Sequence, residues 1–301
     1  MRLVRALSRW VVPELPRARV AWVRAVLAIM AVLDVRYFLG STTDRAGTPS
    51  FYDPILLARV LHLPPVTPSI ADILYLSVHV GAGAVLIGGL ARLPRMVQHG
   101  GGLVLAGAFS LWAMWGMSYG YVSHDHMAIT VGIVLLTTAG TARYGSGAAA
   151  DERAGWPLRM IQVFTVLTYF GSVMAKFSLS GGSLLRWANS GTLAWAFIRR
   201  PNEFNQLFVA NAALLRVGQW GALMLELFSP LVFLLRARSL MLAVAAFAGF
   251  HLTTYLLLGI HFLPTAVCWT AFLPLERLPG WFRRIMGRAT SSRRSDSDVA
   301  L

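Results

Sequence analysis

Long apolar runs recur along this chain, and they constrain its fold more than any other feature of the sequence. Hydrophobic residues make up 56% of the 301 residues, and charged residues only 13%. A helix crosses a bilayer with about 20 predominantly apolar residues, and eight segments approach that length. They are residues 20–40, 70–92, 102–120, 126–142, 158–177, 214–235, 239–257 and 260–275. The sequence therefore predicts an all-α, polytopic transmembrane helix bundle of about eight spans, a multi-pass integral protein of the cell membrane.

Arginines are spread unevenly over the connections between the predicted spans. If the N-terminus is inside, the outer connections carry only Arg45, Arg59, Arg186, Arg199 and Arg200. The inner segments carry Arg2, Arg5, Arg9, Arg17, Arg19, Arg92, Arg95, Arg143, Arg153, Arg159, Arg236, Arg238 and Arg277 with the five arginines that follow it. Cytoplasmic loops of membrane proteins are enriched in basic residues, so we predict an N-in, C-in topology. The formal net charge of +14 then indicates membrane lipid as a partner and no nucleic acid.

The predicted spans leave no room for a soluble domain. Residues 1–275 are predicted to form one transmembrane domain, and residues 276–301 a basic, disordered tail on the cytoplasmic face. Two long connections, residues 41–69 and 178–213, fall on the outer side, where loops often cap a site. Cys268 is the only cysteine, so an internal disulfide is excluded. The oligomeric state is left open.

Ionisable residues inside the predicted spans are costly to bury in lipid and therefore indicate a site. Under the predicted topology most of them lie in the outer half of the membrane, and Glu226 lies near its middle. The outer group consists of Asp34, Arg36, His124, Asp125, His126, Lys176 and His251. A transport passage would also need polar residues in the inner half, which is nearly bare of charge. The pattern favours a one-sided, outward-facing pocket.

Lys176 is the only lysine in a chain that otherwise uses arginine for positive charge. Both side chains can reach from a helix end to the membrane interface, so simple snorkelling is one interpretation of this residue. Arginine stays protonated in proteins, whereas a desolvated lysine can lose its proton and act as a base. The choice of lysine at position 176 therefore points to proton transfer.

The histidines allow more than one interpretation. His251, on an apolar helix, is either a hydrogen-bonded packing residue or part of the site. His124 and His126 flank Asp125 but lack a third well-spaced ligand, so no metal is predicted. The sequence contains no HExxH, GxSxG or Walker motif, which argues against a metalloprotease, an α/β-hydrolase and a nucleotide-driven pump.

An ordered set of motifs resembles the HTTM superfamily of membrane proteins, which includes the vitamin K-dependent γ-glutamyl carboxylases. The motifs are "YFGSVMAKF", "WANSGTLAWAF", "LELFSPLVFLLRARS" and "FHLTTYLLLGIHFLP", and the resemblance covers about residues 120–275. The matching positions are Tyr169, Phe170, Lys176, Trp187, Gly191, Glu226, Pro230, Arg236, Arg238, His251 and Phe262. The segment "SLSGG", residues 178–182, looks like an insertion relative to that pattern.

The resemblance implies an enzyme that uses a reduced quinone of the vitamin K or menaquinone type, with O2 and CO2 as co-substrates. It implies Lys176 as the base that deprotonates the quinone and His126 as a supporting group. We also predict assistance from His251 and an orienting role for Glu226. Aromatic residues would wall a slot for the quinone ring. We predict Trp115, Tyr119, Tyr169, Phe170 and Trp187 for that role.

The lumenal domain with which those carboxylases grip their substrate has no counterpart among the predicted segments. A separate substrate protein or peptide is therefore a candidate partner, and the substrate of the predicted oxygenation or carboxylation is open. The alternative is a non-catalytic membrane protein, such as a transporter, a lipid-binding protein or an assembly partner, with a degenerate fold of the carboxylase type.

Overall fold

A computed structural model of the chain describes residues 2–39, 42–90, 94–145 and 150–280. These residues are mostly helical, at 76% helix. The first seven α-helices are α1 (Arg2–Val11), α2 (Arg17–Leu33), α3 (Thr42–Ala46), α4 (Leu56–Val60), α5 (Pro68–Leu90), α6 (Arg95–Gly116) and α7 (His126–Thr137). They are followed by α8 (Glu152–Leu179), α9 (Leu184–Ala188), α10 (Thr192–Arg199), α11 (Gln206–Val209), α12 (Ala212–Leu227), α13 (Ala237–Leu258) and α14 (Leu263–Ala266).

Shorter elements complete the described chain. Residues Asp34–Phe38 continue α2 as a π-helix. The 3₁₀ helices are Pro49–Phe51, Ser229–Leu234, Val267–Phe272 and Leu275–Arg277. Strands β1 (Leu15–Pro16) and β2 (Ala150–Asp151) pair antiparallel, with Leu15 opposite Asp151.

Among the described residues, three helices, α5, α8 and α13, are long and apolar enough to cross a membrane. Helix α13 also presents large apolar side chains to its surroundings, including Met241, Leu242 and Leu252, which are 59%, 72% and 58% exposed. Large exposed apolar side chains pack favourably against lipid. These features are consistent with a membrane protein, as the sequence predicted.

The other five predicted spans also form helical structure, but their helices are shorter or less apolar than these three. Segment 260–275 differs most from expectation, because α14 and the 3₁₀ helix that follows it cover only residues 263–272. Ten residues of helix rise roughly 15–20 Å, which is less than the ~30 Å of a hydrocarbon core. Helix length alone therefore does not confirm eight spans.

Helices α6 and α8 begin well before the spans that the apolar pattern predicted. Helix α8 starts at Glu152 because the Asp151 side chain accepts a hydrogen bond from the backbone N–H of Arg153, at 2.8 Å, and so caps the helix. Helix α6 starts at Arg95, seven residues before the predicted span. The apolar pattern missed these residues because the first turns of the helix are polar and glycine-rich. Polar helix ends carry no apolar signal, so the pattern underestimates helix length.

Helices α5 and α6 pack with their backbones in close contact. A Cβ atom at Gly81 would lie 2.7 Å from the backbone nitrogen of Leu105, and one at Gly101 would lie 2.5 Å from the Cβ of Ala84. Small residues permit this approach between membrane helices. The small residues of the "GAGA" motif, residues 81–84, thus allow the two helices to pack closely.

Residues 261–276 run alongside α2, from its C-terminal end to its N-terminal end. The His261 ring contacts Phe38, with ring centroids 4.4 Å apart, and Arg19 donates hydrogen bonds of 2.7 and 2.9 Å to the two oxygens of Glu276. The helix between Arg19 and Phe38 rises roughly 28 Å. The segment therefore covers nearly the thickness of a hydrocarbon core, using 3₁₀ and extended backbone that rises more per residue than an α-helix.

The starts of α2 and α8 lie at the same end of the molecule as Glu276. Arg17 forms a salt bridge with Asp151, and β1 pairs with β2 beside it. We call this end, which carries Arg17, Arg19, Arg95 and Arg143, the arginine-rich face. Of the predicted tail, residues 276–280 are described and Glu276 is structured, while residues 281–301 lie outside the described residues.

Candidate functional site

Lys176 lies near the C-terminal end of α8, where it forms an ion pair with Glu226 of α12. Its Nζ donates to Glu226 Oε2 at 2.5 Å and to Ser172 Oγ at 2.6 Å. The side chains of the two charged residues are only 16% and 9% exposed. Because water is largely excluded, each charge depends on the other for its stability. The structure thus brings together two residues that the sequence singled out separately.

The "SLSGG" segment is the turn that ends α8 beside Lys176. Gly181 and Gly182 have φ values of +66° and +80°, a left-handed conformation that favours glycine, and Gly182 N–H donates to the Phe177 carbonyl at 2.9 Å. The turn leads directly into α9. Helix α9 then places the Trp187 ring 5.1 Å from Lys176 Nζ, within cation–π distance. The apparent insertion therefore shapes the surroundings of the lysine.

A small cavity of about 70 Å³, here called the polar cavity, lies next to this ion pair. Its lining consists of His124, Asp125, Thr168, Tyr169, Ser172, Glu226, Phe250, His251, Phe262 and Thr265. Ser172 and Glu226, which both contact Lys176 directly, line this cavity. Lys176 itself is not among the described lining residues. An aromatic ring needs roughly 150 Å³. The polar cavity therefore has room for water or a small gas molecule but not for a quinone ring.

Tyr169 and His251 form a hydrogen-bonded pair in the wall of the polar cavity. Trp269 Nε1 donates to the Tyr169 hydroxyl oxygen at 2.8 Å. The hydroxyl keeps its own proton to donate to His251 Nε2, its other partner. We therefore assign a neutral His251 with its proton on Nδ1, an atom that is buried and has no partner among the described residues.

His126, at the start of α7, is held between two aspartates. Its Nε2 lies 2.8 Å from Asp34 Oδ1 and its Nδ1 lies 3.1 Å from Asp125 Oδ1. An imidazole with a carboxylate at both nitrogens is arranged to donate from both. His126 is 2% exposed and Asp34 is fully buried, so His126 reaches the polar cavity only through Asp125. Any support that it gives to chemistry in the cavity is indirect.

A second cavity of about 470 Å³, here called the apolar cavity, adjoins the polar one. It is lined by Phe38, Ala248, His251, Leu252, Tyr255, His261, Phe262, Leu263 and Ala266. His251 and Phe262 line both cavities. His261 also has a buried Nδ1 without a partner among the described residues. The sequence contained this histidine within the "GIHFLP" motif, but nothing in the local pattern distinguished it from a packing residue.

The predicted aromatic slot is divided in the structure. Tyr169 lines the polar cavity and Trp187 covers Lys176, whereas Phe170 is 37% exposed and lines neither cavity. Trp115 donates to the Pro64 carbonyl at 2.8 Å, and Tyr119 packs against Tyr52. These two residues are separated from Lys176 because the end of α6 packs on the 41–69 connection rather than on α8. The other aromatic residues at the two cavities are Phe38, Phe250, Tyr255 and Phe262.

In the part of the chain that the structure describes, no group of three or more His, Cys, Asp or Glu side chains is placed to hold a metal ion. Comparisons of the chain with protein-family models, with curated proteins and with solved structures gave no match. What the site can do follows from its own geometry. That geometry combines a carboxylate–ammonium pair beside the polar cavity, a neutral histidine, and an apolar cavity that shares His251 and Phe262 with the polar one.

Proposed function

We propose that this protein is an integral membrane enzyme that removes a proton from a hydroxyl group of a reduced quinone of the vitamin K or menaquinone type. The supporting observation is the shared wall between the two cavities. A prenylated hydroquinone has a large apolar body and weakly acidic hydroxyl groups. It therefore needs an apolar cavity next to proton-accepting groups, and the apolar cavity shares His251 and Phe262 with the polar cavity, which Glu226 lines.

The residues of the apolar cavity fit such a molecule. Its volume of about 470 Å³ accommodates the ring system. The unpartnered Nδ1 atoms of His251 and His261 are hydrogen-bonding groups in an apolar lining, and a hydroxylated ring supplies partners for groups of this kind. Leu252 and Tyr255 are 58% and 54% exposed on α13, which leaves an opening through which an isoprenoid tail extends into lipid. When bound, a reduced quinone supplies reducing electrons for chemistry with O2.

Lys176 and Glu226 act together as the proton acceptor. Glu226 lines the polar cavity, and Lys176, which does not line it, contacts the Glu226 carboxylate at 2.5 Å. The pair takes up one proton at Glu226 while Lys176 keeps its charge, so the pair gains one positive charge, which balances the negative charge of the deprotonated quinol. Sequence reasoning gave the role of base to the lysine alone; the geometry favours sharing it with the carboxylate.

The site lies towards the end of the molecule opposite the arginine-rich face. Lys176 is 25 residues into α8, which starts at that face, and His261 packs at the far end of α2. Basic residues mark the cytoplasmic side of membrane proteins. This placement supports eight crossings with both ends of the chain inside, the last crossing running along α2, and a site that faces outward. An outward-facing site is open to a separate substrate protein or peptide.

The first test is quinone retention in purified protein. Ala248→Trp places a large side chain in the lining of the apolar cavity, whereas Ala245→Trp makes the same change on α13 outside that lining. Mass spectrometry of co-purified lipids is expected to find quinone with wild-type protein and with Ala245→Trp, and to find it lost from Ala248→Trp. Equal quinone retention in all three proteins would contradict the assignment of the apolar cavity as the quinone site.

The second test is turnover of added menaquinol in the presence of O2. Glu226→Gln and Lys176→Arg are expected to retain quinone and to lower the rate by about 10²–10⁴-fold, the usual value of a positioned acid or base. Quinone retention with no turnover in wild-type protein would instead favour the non-catalytic, lipid-binding alternative.

A further inference from the structure

A large cavity at the arginine-rich face has no part in the proposed quinone chemistry. It has a volume of about 750 Å³ and lies where α5 ends and α6 begins. Its lining consists of Arg17, Gly88, Gly89, Leu90, Arg95, Gln98, Thr141, Ala142, Arg143, Tyr144 and Gly145. We call it the basic cavity, because three arginines line it and none of its described lining residues carries a carboxylate.

The walls of the basic cavity are fixed by buried hydrogen bonds. The Gln98 side chain, 5% exposed, donates to the Ala142 carbonyl at 2.7 Å and accepts from the Ala142 N–H at 3.1 Å. Tyr144 N–H donates to the Gly89 carbonyl at 3.1 Å, and its ring occupies the space that a side chain at Gly89 would need. The loop that carries Arg143 is therefore attached firmly to the end of α5. A site with fixed walls binds with little loss of conformational entropy.

The three guanidinium groups favour an anion with several oxygen atoms. Arg17 is held in place by Asp151, which leaves its position defined, while Arg95 and Arg143 are exposed at the rim. A guanidinium presents paired N–H donors that match the oxygens of a phosphate group.

The position of the cavity indicates where such an anion would come from. Leu90, the last residue of the apolar helix α5, lines it, so the cavity lies at the level where hydrocarbon gives way to headgroups. We propose that the basic cavity binds a phosphate group, and that the headgroup of an anionic phospholipid supplies it. This site is independent of the quinone site and would exist even if the proposed enzyme activity were wrong.

The proposal is tested by lipid retention in native mass spectrometry. Purified protein is titrated with dioleoyl phosphatidylglycerol, with dioleoyl phosphatidylcholine and with inorganic phosphate. The test variant is Arg95→Gln/Arg143→Gln. The matched control is Arg199→Gln/Arg200→Gln, which removes two exposed arginines from the C-terminal end of α10, outside the cavity lining. Melting temperatures without added lipid show whether each variant is folded.

We expect phosphatidylglycerol to bind wild-type protein and the control with equal affinity, and the test variant on the order of tenfold more weakly. Phosphatidylcholine should bind weakly and without difference between the proteins. Competition by inorganic phosphate would support the phosphate site and assign a free anion as its source. Equal loss of phosphatidylglycerol binding in the test and control variants, or in neither, would overturn the proposal.

Discussion

A lysine and a glutamate that are both largely shielded from water stabilise each other only while both are present. Lys176 and Glu226 are in this situation, with a 2.5 Å contact and exposed fractions of 16% and 9%. Removing one charge leaves the other without compensation in a medium of low dielectric constant. Removing both exchanges the pair for two neutral groups. The two residues should therefore behave as one unit in stability as well as in chemistry.

A double-mutant cycle tests this coupling. Lys176→Met is expected to lower the free energy of unfolding by about 3 kcal/mol, the lower end of the range for broken buried pairs, because the lysine retains some solvent contact. Lys176→Met/Glu226→Gln should recover at least about 1 kcal/mol of that loss. The measurement is denaturant or thermal unfolding of the four proteins in one detergent. Simple additivity of the two single changes would show that the ion pair is not coupled.

The sequence predicted which residues belong to the site better than it predicted which residues they contact. Lys176 was conspicuous as the only lysine, and Glu226 and His251 as polar residues in apolar segments. Their partners lie far away in the chain, 50 residues from Lys176 to Glu226 and 92 from His126 to Asp34. Local patterns do not encode contacts over such separations. His261 was missed for the same reason, since only its position on a cavity wall sets it apart.

At the scale of helices, the contact between α5 and α6 depends on glycines that differ in their surroundings. Gly81 faces the α6 backbone, with Leu105 nitrogen 2.7 Å from its virtual Cβ, whereas Gly83 has nothing within 4 Å. Both lie in the middle of the same helix. The same substitution at the two positions therefore separates interhelical packing from helix propensity.

Gly81→Ala is expected to destabilise the protein by about 1–3 kcal/mol, because backbone atoms of α6 must move to accommodate the methyl group. Gly83→Ala should be neutral or stabilise by about 0.5–1 kcal/mol, since alanine is the better helix former. Melting temperatures of the two variants against wild-type protein give the answer. Equal effects at both positions would mean that α5 and α6 are not in close contact there.

Apolar patterning predicted the helices that are apolar throughout, such as α5 and α13, to within a few residues. It predicted poorly where a helix has a polar end, as at the start of α6, because hydropathy and hydrogen bonding are separate properties. It also gave the wrong form to residues 260–275, which follow α2 as 3₁₀ and extended backbone rather than as a long α-helix. Such backbone has no hydrophobic period that a sequence could reveal.

At the scale of the whole molecule, the ion pair between Arg19 and Glu276 joins the first long helix to the end of the described chain. Burial disfavours the Glu276 carboxylate, but the hydrogen bonds and the charge of Arg19 outweigh it and hold the pKa of Glu276 below its ordinary value. A carboxylate with a depressed pKa in the folded state stabilises the protein above the unfolded pKa, about 4.3 for glutamate. That stabilisation is lost as the pH falls through the folded value.

Glu276→Gln is expected to destabilise the protein at pH 7 by about 1–2 kcal/mol, because the paired hydrogen bonds to a charged group are weakened. The difference from wild-type protein should shrink as the pH falls below about 4. Glu203→Gln, at an exposed position in the 200–211 connection, is the control and should show no such change. The measurement is thermal melting of wild type and the two variants between pH 3 and pH 8. This range extends roughly one unit or more on either side of the glutamate pKa. A difference between Glu276→Gln and wild type that does not vary with pH would contradict the assignment.

The path of residues 261–276 along α2 also has a consequence for how the chain is assembled. An α-helix satisfies its own backbone hydrogen bonds, whereas 3₁₀ and extended backbone in a bilayer must find partners in neighbouring protein. This segment is synthesised after α13, yet its neighbour α2 is among the first elements made. The contacts of this segment with α2 can therefore form only after all the helices between them have been synthesised.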